Sequence, residues 1–117
     1  MNIRRQNGTL NVNEVRELSA ASAGSFRREI CAAMAPGLKT IEIDLSQTSF
    51  VDSCGLGALI SLYKAAQIQN VGVAVRLLNP RPPVQQVFEL TRMHQLFEIV
   101  PRAEPAPNGS DKLAIPA

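Results

Sequence analysis

The chain has 117 residues, 45% of them hydrophobic and 19% charged, which places it with ordinary folded proteins and excludes a disordered class. Its 12 basic and 10 acidic side chains leave a net charge of +2, too small for a nucleic-acid footprint. The basic doublets Arg4-Arg5 and Arg27-Arg28 carry no interleaved aromatics, so no nucleic-acid partner is expected.

In chain order, Ile3 to Arg5 and Thr9 to Val12 read as two short strands. Gln6-Asn7-Gly8 joins them, since Asn and Gly tolerate the positive φ of a tight hairpin. Ser19 or Ser22 is the candidate cap of a helix running to about Met34. Phe26, Ile30, Ala33 and Met34 fall at helical spacing, Arg27, Arg28 and Glu29 lie on or beside the wet face, and Pro36-Gly37 stops the helix. Thr40 to Ser46 alternates Ile41, Ile43 and Leu45 with Glu42, Asp44 and Ser46, the pattern of a strand.

A loop from Gln47 to Ser53 leads into a second helix, from about Cys54 to Asn70, with Leu56, Leu59, Ile60 and Tyr63 as its expected core stripe. Val71 to Leu78 is a nearly continuous apolar run, as in buried parallel strands. Pro82-Pro83 opens a third helix, expected to turn Val84, Val87, Phe88 and Thr91 inward. Leu96 to Val100 reads as a last short strand. The expected organisation is one domain over 1–100, followed by a flexible proline-rich tail over 101–117. Strands alternating with helices imply an α/β fold, with a central mixed, mostly parallel sheet, helices packed on it and the first two strands as an antiparallel edge.

The longest nearly apolar helical stretch, Leu56 to Tyr63, is far short of the ~20 residues that cross a bilayer. Met1 to Gln6 has no apolar run behind it, so neither a secretory leader nor a membrane partner is expected. Cys31 and Cys54 have no CxxC spacing and no histidine cluster, which points to neither a disulfide nor a zinc site. A cytoplasmic location with reduced thiols, no metal and no cofactor is the expectation.

The most unusual string is Phe50-Val51-Asp52-Ser53-Cys54-Gly55-Leu56-Gly57, where a strand end hands over to a helix. Sites in such sheets gather beyond the carboxyl ends of the strands. A small hydroxyl, Ser53, stands at the start of a helix whose unpaired amides carry partial positive charge, so a phosphate there is electrostatically acceptable. On one reading Asp52 or Ser53 is only an N-cap. On the other, glycines that cost about 0.5–1 kcal/mol each against alanine are there for another reason. Gly55 and Gly57 then leave the backbone open to close approach by another protein.

The stretch from Asp44 through Ser53-Cys54-Gly55-Leu56-Gly57-Ala58-Leu59 to Tyr63-Lys64 resembles the signature of STAS domains of the anti-sigma-factor antagonist type. Leu78-Asn79-Pro80, Val84 to Leu90 and Leu96 to Ile99 are similar to that family as well. The resemblance implies a phosphorylatable serine directly after the motif aspartate, at Ser53. It implies an anti-sigma-type serine kinase as the partner that modifies it and a metal-dependent serine phosphatase that restores it. Ser19, Asp52, Ser53, Cys54, Gly55, Leu56 and Gly57 are the partner-facing candidates.

The chain departs from the family's pattern at three places. Cys54 stands where serine or threonine is usual, Ser19 replaces the aspartate of the partner-facing loop, and Arg92 stands where a glycine follows the third helix. Cys54 is read as buried and inert, because the one histidine, His94, lies in another element and no base supports a nucleophile. No paired carboxylates, nucleophile–base pair or metal cluster can be assembled, so no enzyme is expected. The expected function is a phospho-switched interaction module, released from its kinase when Ser53 is phosphorylated. A small-molecule or nucleotide-binding module and an unmodified scaffold are the alternatives. Nothing like a GxxxxGK[ST] loop is present. Oligomeric state is not readable from these residues.

Overall fold

A two-residue turn sets the first pairing. In the computed structural model, which describes residues 1–101, Asn7 and Gly8 take φ of 51° and 81°. They fold β1 (Asn2–Gln6) back on β2 (Thr9–Asn13) as an antiparallel hairpin, with Gln6 opposite Thr9. The expected tail lies, beyond Pro101, outside the described residues.

Three more strands extend this edge in parallel: β4 (Thr40–Asp44), β6 (Ala74–Leu78) and β7 (Glu98–Val100), in the order β1-β2-β4-β6-β7. The register aligns Leu10, Ile41 and Val75 in one row and Val12, Ile43 and Leu77 in the next, all buried. Side chains of period two thus put the apolar set on one face. The opposite face carries the row Asn11, Glu42, Arg76 and Glu98, where Arg76 pairs with Glu42 and, at 3.2 Å, with Glu98.

Helices α1 (Ala23–Ala33), α2 (Ser53–Gln69) and α3 (Pro82–Leu90) bury Phe26, Ile30, Leu59, Leu62, Val84 and Phe88 in one cluster with those strand residues. The result is the expected mixed sheet with helices packed on it. Each helix follows the carboxyl end of a strand, so all three starts gather at one end of the sheet.

Several boundaries differ from the sequence reading, each for a local reason. The strand from Thr40 ends at Asp44, whose Oδ1 accepts from the Ser46 amide at 2.8 Å and turns the chain. Val71 is 95% exposed because Gly72, at φ 91°, makes a turn before Ala74 enters the sheet. Thr91 is exposed rather than inward, its hydroxyl donating to the Val87 carbonyl at the helix end. Arg92 takes the left-handed φ of 59° that the expected glycine would take without strain. A 3-10 turn, Met93–Gln95, comes next and delays the last strand to Glu98.

The core stripe of α2 is rotated from the expected one. Gly55, Ala58, Leu59, Leu62 and Ala66 face inward, while Leu56, Ile60 and Tyr63 are half-buried on its flank, with Tyr63 edge-on to Phe97 at 5.7 Å.

Two minimal strands, β3 (Glu17–Leu18), in residues given no element by the sequence reading, and β5 (Phe50–Val51), inside the segment read as a loop, pair in parallel. Thr48 is fully buried beneath them. Its hydroxyl donates to the Val15 carbonyl, and the Ser49 amide donates to the Arg16 carbonyl at 3.0 Å. This zipper ties the approach to α2 to the approach to α1. Thr48→Val keeps the shape but orphans the Val15 carbonyl, so denaturant unfolding should show a loss of about 1–3 kcal/mol. An unchanged midpoint would contradict this account of the zipper.

Candidate functional site

Strands β3 and β5 run side by side, and Asp52 ties together the two helix approaches that continue from them. It is the N-cap of α2, in extended conformation, with its amide donating to the Leu18 carbonyl at 2.9 Å. Its Oδ1 accepts from the Gly55 amide at 3.0 Å and its Oδ2 from the Ala20 amide at 3.1 Å. One carboxylate therefore satisfies donors at the start of α2 and in the approach to α1. These bonds, that from Gly55 first and that from Ala20 second, hold the Asp52 carboxyl below its ordinary range.

Because Asp52 is the cap, Ser53 is left free of that duty. It occupies the first position of α2 and is exposed, as are Cys54 beside it and Gly57 one turn on. Cys54 is thus corrected from a buried to an exposed thiol. Phe50, in β5 two residues before the cap, is 54% exposed, a large apolar side chain on the approach to α2 that the sequence reading did not name as partner-facing. An aromatic standing before the aspartate was the available signal.

The two glycines do different work. A Cβ at Gly55 would sit 2.0 Å from the Leu18 carbonyl oxygen, so that glycine serves close packing within the chain and is buried. A Cβ at Gly57 would meet nothing within 4 Å, so only Gly57 leaves open surface. Leu56 is half-buried against the core.

Ser19 is not on the surface either. It is 5% exposed, and its hydroxyl donates to the Glu17 carboxylate while its carbonyl accepts from the Ser22 and Ala23 amides, at 3.0 and 2.7 Å. The Ser22 hydroxyl in turn accepts from the Ser19 amide and donates to the Glu17 carbonyl, both at 3.0 Å. Ser19 thus shapes the approach to α1, and Ala20 and Ala21 are the residues that loop exposes.

Of the seven partner-facing candidates, Ser53, Cys54 and Gly57 are exposed, Asp52 and Leu56 half-buried, and Ser19 and Gly55 buried. His94 is in the 3-10 turn before β7, in a different part of the chain from Cys54. Among the described residues no group of three or more His, Cys, Asp or Glu is placed to hold a metal ion. No described helix is long and apolar enough to cross a membrane. A groove of about 270 Å³ opens beside α1 and its approach, lined by Glu14, Arg16, Glu17, Ser22, Phe26 and Glu29. Ser53 does not line it.

A family model described as the STAS domain matches residues 1–106. BtrV of Bordetella bronchiseptica, a protein assigned as an anti-sigma factor antagonist, is 25% identical over 89 residues, which cover 76% of this chain and 75% of that protein. Among solved structures, a Thermotoga maritima protein with the same assignment superposes with a TM-score of 0.75 at 22% identity, covering 86% of each chain. The anti-sigma factor antagonist SpoIIAA in its unphosphorylated form gives 0.72 at 23% identity over 88% of each chain. The phosphorylated form of SpoIIAA, a Bacillus cell fate determinant, gives 0.62 at 22% identity over 88% of this chain and 91% of that one. At these identities the structural likeness establishes the fold.

The geometry separates the two glycines by experiment. Gly55→Ala drives a methyl group into backbone and should cost about 3 kcal/mol or more, whereas Gly57→Ala should be neutral or stabilising by up to about 1 kcal/mol. Equal thermal shifts for the two would contradict the assignment. Acid tests the clamp. A carboxyl held low in the folded state stabilises it above the unfolded range near ~4 and loses that contribution as pH falls through the lower folded value. The melting-temperature gap between the native protein and Asp52→Asn should therefore narrow below about pH 4; a gap constant with pH would contradict it.

Proposed function

The chain belongs to the STAS domain family, and from that premise we propose that it is a phospho-switched interaction module of the anti-sigma-factor antagonist kind. Unmodified, its Ser53 surface binds an anti-sigma-type serine kinase and withdraws that protein from whatever it inhibits. The kinase ends the contact by phosphorylating Ser53. The Ser53 oxygen takes the γ-phosphoryl group of kinase-bound ATP, ADP leaves, and the hydroxyl proton passes to the kinase. A metal-dependent serine phosphatase reverses the change by hydrolysis, releasing inorganic phosphate. The module itself performs no chemistry, and its dependence on ATP and a kinase sets it in the cytoplasm.

The observation that carries this reading is the exposed Ser53 hydroxyl, spared from capping by Asp52 and bordered by the bare Gly57. A phosphoryl group there adds about −1.5 to −2 charges and three acceptor oxygens in the middle of a closely fitted contact. A partner shaped to the small hydroxyl meets both bulk and charge, so binding is lost without refolding. Relatives assigned as anti-sigma factor antagonists, and a similar fold solved in phosphorylated form, support the same reading. A nucleotide-binding module has less support, because the groove beside α1 sets one arginine, Arg16, against three glutamates, an acidic excess that disfavours phosphate.

Incubation with the kinase and ATP should add one phosphate by intact mass, and Ser53→Ala should abolish the addition. Ser53→Asp should weaken kinase binding tenfold or more, equivalent to about 1.4 kcal/mol, with a near-native melting temperature. Equal capture of the native and Ser53→Asp forms would overturn the switch.

A further inference from the structure

Helices α1 and α2 start side by side, joined at their approaches by the bond from the Ala20 amide to Asp52. Lower down they are joined again, where Arg27 Nε donates to the Ser61 hydroxyl at 2.5 Å. Ser61 lies two turns below Ser53, about 12 Å along the axis. Between these levels each helix has a glycine instead of a side chain. A Cβ at Gly57 would touch nothing, and one at Gly24 would meet only the Arg28 guanidinium, 4.0 Å away.

Long helical side chains lean toward the N-terminus, and Arg28 does so by reaching back over Gly24. Arg27 and Arg28 are the two cations of α1, and Gly24 and Gly57 leave bare positions on the helices near them. α2 contains no acidic residue, and Glu29, the one acid of α1, lines the groove that Ser53 does not line. Asp52, the nearest acid in sequence to Ser53, has both oxygens engaged by backbone amides. Lys64, a turn below Ser61, is the remaining cation of α2.

We propose that Arg27 is the receptor for the phosphoryl group on Ser53: on phosphorylation its guanidinium leaves the Ser61 hydroxyl, pairs with the phosphate oxygens and closes over the bare positions at Gly24 and Gly57. Arg27 already crosses to Ser61, which at i+8 shares a helix face with Ser53, and a guanidinium matches phosphate in geometry as well as charge. The modification then does two things to a docked partner. It adds charge at the contact and covers the bare surface the partner needs. This rests on the reading of Ser53 as the modified residue.

The test installs phosphoserine at position 53 during translation of the full chain and tracks its phosphorus resonance with pH. An ordinary phosphoserine has its second ionisation near ~6. With Arg27 present it should lie lower by about half a unit, because a nearby cation favours the dianion. Arg27→Gln should return it to the ordinary value, Arg27→Lys should keep part of the shift, and Arg4→Gln, on the far hairpin, should change nothing. The same ionisation in the native and Arg27→Gln proteins would overturn the proposal, as would a shift abolished by Arg28→Gln but not by Arg27→Gln. No kinase enters this experiment. Failure of the kinase to label Ser53 would defeat the functional reading alone, and an unshifted resonance would defeat the arginine receptor alone.

Discussion

The site depends on one carboxylate that is shared. Asp52 accepts from the Gly55 amide with one oxygen and the Ala20 amide with the other. Carboxylates that accept backbone amides at a helix start are among the stronger hydrogen-bonding partners in proteins, because the charge meets the positive end of the helix. Here the same group also fixes the approach to a second helix. The contact of Gly55 with the Leu18 carbonyl, the pairing of β3 with β5 and the buried Thr48 hydroxyl all hold those two approaches at the one spacing where Asp52 reaches both.

That arrangement separates rigidity from exposure. The residues that determine the geometry, Ser19, Thr48, Gly55 and Leu18, are buried, and the residues left outside, Ala20, Ala21, Ser53, Cys54 and Gly57, are small. A surface of small residues on a fixed backbone suits close docking, since a partner approaches without displacing long side chains and without ordering a loop. The same property makes a single phosphoryl group large by comparison. Phe50, on the approach to α2, is an exposed apolar side chain, and Arg27 of α1 reaches across to Ser61 of α2.

The sheet is legible in the sequence wherever a buried face repeats every second residue. Ile41 and Ile43 declare their strand in this way, the nearly continuous apolar run through Val75 and Leu77 marks its strand instead by hydrophobicity, and Asn7-Gly8 declares the hairpin. The pairs Glu17–Leu18 and Phe50–Val51 are too short to show any period, and only the tertiary zipper makes them strands. The stripe of α2 escapes the apolar pattern because its inner face is built from Gly55, Ala58 and Ala66, small residues that weigh little in such a pattern yet allow the backbone to approach its neighbours. At the site, the motif locates Ser53 and Asp52, but residue type alone does not separate a glycine used for internal packing from one facing solvent. Nor does it show that the Ser19 hydroxyl turns back to Glu17 and is buried.

The proposed phosphorylation of Ser53 changes what the surface offers while leaving the frame beneath it intact. Amide hydrogen exchange on the chain with and without phosphoserine at position 53 tests this most directly. The account predicts that Gly55, Ala20 and the strand amides of Ile41 and Val75 exchange equally slowly in both forms. Faster exchange at Gly55 and Ala20 in the phosphorylated chain would show that the phosphate opens the Asp52 clamp and acts by loosening the fold, contradicting the account.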